Sequence, residues 1–164
     1  MPREFHLDPA TLDLNKVIVD LDGIRKVNPQ RFEMEQLTAI VLMDPDQHII
    51  AGYKDLGKDE FWVRGHLPDY AIFPGALMCE AAAQLCSYYI TTHGHGRGDF
   101  IGFGGLENVR FRGQVRPGDR LVLVAKATKV HRRQTIFSVQ GFVGSKLVFN
   151  GDVIGVPLTR EEGA

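Results

Sequence analysis

"PGALMCEAAAQLCSYYITTHG", residues 74–94, decides how this chain folds. The run is rich in alanine, leucine and methionine, opens at a Pro-Gly step and meets Gly94 where a helix C-terminal cap belongs. The spacing predicts a helix from Gly75 to about His93, roughly 28 Å long at 1.5 Å of rise per residue. It is apolar nearly all round, so it must be buried on several sides.

Segments on either side read as the cover for that helix. "VIVDLDGIRKV" (17–27) suits a short helix with Asp20 or Asp22 near its start and Asn28-Pro29 at its end. "EQLTAIVLMD" (35–44) and "QHIIAGYKDL" (47–56) flank the turn signal Asp44-Pro45-Asp46 and predict a hairpin. "EFWVRGH" (60–66) is short and aromatic and is expected to be extended. After the helix, "RGDFIGFGG" (97–105) reads as a glycine-rich link. "ENVRFRGQV", "RLVLVAKATKV", "QTIFSVQGFV" and "KLVFNGDVIGV" then read as strands of an antiparallel meander. One apolar helix needs a sheet curved around it. The expectation is an α+β hotdog fold, an antiparallel sheet wrapped around one long central helix, with a dimer covering what the sheet cannot. Residues 1–17 are read as an extended N-terminal arm, and residues 18–160 as a single domain.

The chain has 164 residues and a formal net charge of −1, so global charge names no partner. Residues 107–133 are locally basic, carrying Arg110, Arg112, Arg116, Arg120, Lys126, Lys129, Arg132 and Arg133 against Glu107 and Asp119. Without interleaved exposed aromatics, that stretch argues against nucleic acid. Cys79 and Cys86, about 10 Å apart along one helix, are beyond disulfide reach and point to a reducing compartment, the cytoplasm. The N-terminus lacks the apolar core of a signal peptide, and no run is long enough to span a membrane. His93 and His95 form an isolated His-x-His pair with no neighbouring ligand, so no metal site is expected.

Polar residues on the helix fall at Glu80, Gln84, Ser87 and Thr91, a spacing that lines one face. A solvent face would carry lysines and more acids, so the stripe is expected to line a cavity. Gly75, at the helix start, lets a ligand approach free backbone N–H groups. His66 precedes the loop that leads there, with a side chain suited to proton transfer near neutral pH. One base, one carboxylate and one oxyanion site together suit proton abstraction next to a carbonyl. Spacing alone leaves open that His66 is a packed histidine and Glu80 a surface acid.

The stretch His66-Leu67-Pro68 to Phe73-Pro74-Gly75-Ala76-Leu77, followed by Glu80-Ala81 and Gln84, resembles the signature of the 3-hydroxyacyl-acyl carrier protein dehydratases of fatty-acid synthesis. "LENVRFRGQVRPGDRL" (106–121) and "NPQRFEME" (28–35) are similar to two further elements of that family. The resemblance implies a hotdog homodimer, often assembled into a trimer of dimers, acting on acyl carrier protein thioesters without metal or redox cofactor. It implies that His66 of one subunit and Glu80 of the other share a site, with Gly75 holding the thioester carbonyl. Gln84 would orient Glu80 or a water, and Phe73, Leu77 and Phe103 are the expected lining of an acyl tunnel. The basic stretch would meet an acidic carrier. Leu67 and Asp69-Tyr70-Ala71 depart from the family pattern. Two other readings stay open: a hotdog acyl-thioesterase, and a non-catalytic subunit that binds acyl thioesters.

Overall fold

The computed structural model describes residues 4–94 and 98–163. In chain order the elements are α1 (Leu21–Arg25), β1 (Ala39–Asp44), β2 (Ile49–Asp55), α2 (Gly75–His93), β3 (Phe100–Phe111), β4 (Arg120–His131), β5 (Gln134–Val143) and β6 (Lys146–Leu158). Short 3-10 turns lie at Pro9–Thr11 and Phe32–Met34. Asp20 caps α1 by accepting from the Gly23 N–H at 2.8 Å, which settles which aspartate starts that helix.

One antiparallel sheet of six strands, ordered β1-β2-β4-β5-β6-β3, wraps around α2. On the helix Met78, Ala81, Ala82, Leu85, Cys86, Tyr89 and Ile90 are buried, and they meet Ile50, Leu121, Leu123, Phe137, Val139 and Phe149 from the sheet. Pro74 occupies the N-cap with extended backbone, and its carbonyl accepts from the Leu77 and Met78 N–H groups. Gly94 closes the helix by donating to the Ile90 carbonyl at 2.7 Å.

Three expectations need correction. The sheet is not a simple meander: β4, β5 and β6 run in order, but β3 lies at the far edge beside β6. The glycine-rich residues 100–105 are not a link but the first half of β3, which begins at Phe100. Its glycines are there for close packing, since a Cβ on Gly104 would come within 2.7 Å of Val156 Cγ1, and one on Gly102 would strike Leu158. Residues 60–66 turn rather than extend. Val63 N–H donates to Glu60 O, and the Gly65 and His66 N–H groups donate to Trp62 O. Glu60 organises that turn by accepting from Trp62 Nε1 at 2.9 Å while paired with the buried Lys54 at 3.1 Å.

The N-terminal segment lies over the outer face of the sheet. Leu7, Leu12 and Leu14 cover a cluster formed by Val41, Ala51, Tyr53, Val122, Val124 and Phe142, and Phe5 meets Phe142 edge-on at 5.1 Å. His6 and Gln140 tie it down: the His6 N–H donates to Gln140 Oε1 at 2.9 Å, and Gln140 Nε2 donates to Glu4 O at 3.1 Å. No helix among the described residues is long and apolar enough to cross a membrane.

Candidate active site

Glu80 stands in the second turn of α2, half-buried, and its carboxylate is held in place. Gln84 Nε2 donates to Glu80 Oε1 at 2.7 Å and to the Met34 carbonyl at 2.6 Å. Gln84 Oε1 accepts from the Gln36 N–H at 2.9 Å, so three partners fix the orientation of the amide. Gln84 is 3% exposed, and Asn28 Nδ2 donates to its backbone carbonyl at 2.9 Å. The chain before β1 therefore braces the carboxylate from the side.

Glu80, Gln84 and Ser87 line a cavity of about 110 Å³ between α2 and strands β3 and β6. Its other walls include Gln30, Ile90, Phe103 and Gly155. The stripe read from the sequence thus faces a cavity over three of its four positions; Thr91, the fourth, is exposed. Cys86 also reaches this wall. Burial pushes its thiol well above the ordinary range, so it stays protonated and is a poor nucleophile.

His66 is exposed at the end of the turn after Trp62. Its Nδ1 lies 2.8 Å from the Ile72 carbonyl, which can only accept, so Nδ1 carries the hydrogen. In the neutral ring Nε2 is then the bare nitrogen. The Ile72 N–H donates back to His66 O at 2.9 Å, closing a loop over residues 66–72. Phe73 N–H anchors the end of that loop to Val115 O at 2.7 Å. Tyr70 adds a second anchor, through its hydroxyl to Gln114 Oε1 at 2.9 Å and its ring beneath Arg116 at 4.2 Å.

Gly75 is the first residue of α2, where backbone N–H groups precede the intrahelical ladder. The Phe111 ring lies directly over it, 2.7 Å from where a Cβ would stand. Of the expected lining residues, Phe103 joins Glu80 and Gln84 at the cavity and is 46% exposed. Phe73 is fully buried against Trp62, with ring centroids 5.3 Å apart, and Leu77 packs partly against the core. Neither of these two lines the Glu80 cavity, and nor does His66. Within one chain, then, the base candidate is not part of the cavity that the acid candidate lines. The sequence reading missed Met34 and Gln36, whose bonds to Gln84 cross about fifty positions of chain and leave no local pattern, and Gln30, which shares the cavity wall with α2.

Among the described residues no group of three or more His, Cys, Asp or Glu could hold a metal ion. His93 stacks on Tyr89, and its sequence partner His95 lies outside the described residues.

The chain was compared with known proteins. It is 28% identical over 137 residues to a 3-hydroxyacyl-[acyl-carrier-protein] dehydratase FabZ from Clostridioides difficile, covering 84% of this chain and 96% of that protein. It is 34% identical over 113 residues to the FabZ dehydratase of Bacillus cereus, covering 69% and 78%. Among solved structures, a dehydratase heterocomplex from Xenorhabdus doucetiae superposes with a TM-score of 0.70 at 12% identity, over 85% of this chain and 91% of that one. The PaaI protein of the E. coli phenylacetic acid operon does so with a TM-score of 0.56 at 13% identity, over 72% and 77%. These likenesses carry the hotdog fold. The family model for the FabA-like domain matches residues 28–152, a span that holds the His66 turn, the whole of α2 and the braced Glu80 carboxylate, and the chain belongs to that family.

Proposed function

We propose that this protein catalyses the reversible dehydration of a (3R)-3-hydroxyacyl thioester to the trans-2-enoyl thioester, on acyl carrier protein, in fatty-acid biosynthesis. The observation that carries the reading is the Glu80 carboxylate, the one acid of a largely apolar helix, fixed by Gln84 at the wall of a cavity. Family membership and the named dehydratase relatives support the substrate class.

The chemistry follows from the groups present. His66 Nε2 removes the proton at C2, and the electron pair of that C–H bond forms the C2=C3 double bond. Negative charge that builds on the thioester oxygen is met by the Gly75 N–H at the start of α2, helped by the helix dipole. Glu80, protonated at that moment, gives its proton to the 3-hydroxyl, so that the C3–O bond breaks and water leaves. The proton taken by His66 returns the enzyme to its starting state through solvent.

The site is composite, with His66 from one subunit and Glu80 from its partner. What supports this is that His66 does not share the Glu80 cavity of its own chain, and that β3 is an edge strand with Phe103, Leu106 and Phe111 exposed. An exposed apolar edge of this length is a template for pairing with a second chain. The basic side chains of 107–133 supply the charge to meet an acidic carrier.

Purified protein is expected to hydrate an enoyl-acyl carrier protein, and His66→Ala and Glu80→Gln each to abolish that. Turnover that survives both substitutions would refute the assignment. Release of free thiol from a saturated acyl thioester would instead identify a thioesterase.

A further inference from the structure

His66 is exposed, and an exposed side chain samples several rotamers unless something holds it. A base at this position must therefore be aimed by its surroundings. Trp62 reaches His66 from two sides. Its carbonyl accepts from the His66 N–H at 2.8 Å and fixes the backbone that carries the imidazole. Its ring, 4% exposed, packs on Phe73 with centroids 5.3 Å apart. Phe73 directly follows Ile72, whose carbonyl takes the Nδ1 hydrogen of His66 at 2.8 Å. One residue thus stands behind both the backbone and the ring of the base.

Trp62 is in turn held by Glu60, whose two carboxylate oxygens are both occupied. Oε1 accepts from the Gly57 N–H at 2.9 Å, and Oε2 accepts from Trp62 Nε1 at 2.9 Å and pairs with Lys54 Nζ at 3.1 Å. Lys54 is 7% exposed, and its ammonium also lies over the Phe73 ring, 5.9 Å from the centroid. Fold stability is a weak reason for such a pair. The cost of taking two charges out of water roughly cancels their attraction, and apolar side chains of similar size serve a core as well. What the pair provides is direction: a carboxylate pinned in one place, which receives the indole N–H at one angle.

We propose that Glu60 and Trp62 are positioning residues for His66, which hold its ring in the Nδ1–H tautomer with Nε2 free to take the C2 proton. The inference rests on the dehydratase reading. The contacts run from Lys54 to Glu60, from Glu60 to the Trp62 indole, and from Trp62 to the His66 backbone and, through Phe73, to the segment of the Ile72 carbonyl. Neutral imidazole in water favours the other tautomer, with its hydrogen on Nε2. A ring in that form has no lone pair on Nε2 to receive a proton. Loosening the turn therefore lowers the fraction of competent base and leaves the binding of substrate alone, so kcat and kcat/KM fall together while KM stays.

The test is Trp62→Phe. It keeps an aromatic ring against Phe73 and removes the indole N–H, while Glu60 Oε2 keeps Lys54, so no charge is stranded. Val139→Ala, a truncation at a fully buried position in β5, controls for lost core volume. Two quantities are read: the kinetics of enoyl hydration, and the nitrogen NMR spectrum of histidine-labelled protein at alkaline pH, with the His66 signals assigned from His66→Ala. In the native protein those signals should be those of the Nδ1–H tautomer. In Trp62→Phe they should move toward the mixture seen for free imidazole, and kcat should fall about tenfold or more with KM unchanged. Val139→Ala should alter neither, even where its Tm falls as far as that of Trp62→Phe. A native spectrum or a native kcat in Trp62→Phe would overturn the proposal, and so would an equal loss of kcat in Val139→Ala. If the native protein hydrates no enoyl thioester, the dehydratase reading fails; the histidine spectrum needs no substrate and still decides whether Trp62 holds the ring.

Discussion

Gln84 stands one helical turn beyond Glu80 and donates to its carboxylate at 2.7 Å, while spending its second N–H on the Met34 carbonyl. This pair ties the chemistry of the helix to the chain before β1. Gln84→Leu keeps the volume and removes the bonds. It strands the Gln36 N–H and the Met34 carbonyl in the interior and frees the carboxylate to rotate. Stability should fall by about 1–3 kcal/mol and kcat by about tenfold, with a smaller change in KM. Gln84→Glu places a second carboxylate against the first, and like charges raise the pH at which the pair ionises. The pH–rate profile for that variant should move toward alkaline pH; an unmoved profile would show that Glu80 is not the titrating group.

Gly75 and Phe111 form a second linked pair. An alanine Cβ at position 75 would lie 2.7–2.9 Å from three atoms of the Phe111 ring, which is 53% exposed and stacked on Phe149. Gly75→Ala must therefore push the ring aside, at about 1–3 kcal/mol, and shift the first N–H groups of α2. Hydration should drop steeply. Adding Phe111→Ala should recover much of the lost stability, a non-additivity that isolates the contact. Recovery of stability without recovery of rate would assign the lost activity to the Gly75 backbone itself.

The central helix, the hairpin and the polar stripe were legible in the sequence because each is written locally: alanine and leucine between Pro74-Gly75 and Gly94, alternation around Asp44-Pro45, and polar residues at helical spacing. What stayed hidden depends on distant partners. Gly102 and Gly104 look like loop residues until β6 is laid beside them, because their small size answers Leu158 and Val156. Trp62 and Phe61 look like strand residues, but Trp62 packs on Phe73 and bonds Glu60, which bends the chain into a turn. Gln30, Met34 and Gln36 gain meaning only through a helix that begins about forty residues later.

The departure at Asp69-Tyr70-Ala71 has a physical counterpart in the loop that carries His66. Tyr70 pins that loop to the segment before β4, through its hydroxyl to Gln114 and its ring to Arg116. Asp69, at φ 64, sits in the left-handed region, a strained conformation that the anchors help to hold. Tyr70→Ala should lower kcat with little change in Tm, since an exposed cation–π contact is worth about 0.5–1 kcal/mol. Tyr70→Phe keeps the ring and should retain most of the rate. Combining Tyr70→Ala with Arg116→Ala should cost no more than the larger single effect; full additivity would mean that the two residues do not act as one anchor.

Acid should loosen the N-terminal segment. His6 is half-buried, and burial, reinforced by the nearby Lys126, lowers its pKa below the ordinary histidine value, while Asp152, Glu4 and the bond to Ser138 oppose this less strongly. A depressed pKa means that the undocked segment takes up a proton more readily than the docked one. Its contribution to stability is thus complete above about pH 6.5 and declines as pH falls below that value. Thermal unfolding from about pH 7.5 to 5.5 should show a steeper fall in Tm for the native chain than for His6→Gln. Parallel curves would remove His6 as the cause.

A composite site makes a prediction that no single-chain site can meet. Homodimers of His66→Ala lack every base, and homodimers of Glu80→Gln lack every acid, so each preparation alone should be inactive. Unfolding the two together and refolding them as a mixture produces heterodimers. In these, one site carries both substitutions while the other combines a native His66 with a native Glu80 from opposite subunits. Hydration activity should therefore appear on mixing. If both groups of a site came from the same chain, every site in the mixture would carry one defect and the activity would stay at the level of the parents. The double variant His66→Ala/Glu80→Gln, refolded with the native chain, separates the cases again. Its heterodimers hold one damaged group in each composite site, so activity should fall faster than the fraction of native chains, whereas independent single-chain sites would lose activity in simple proportion.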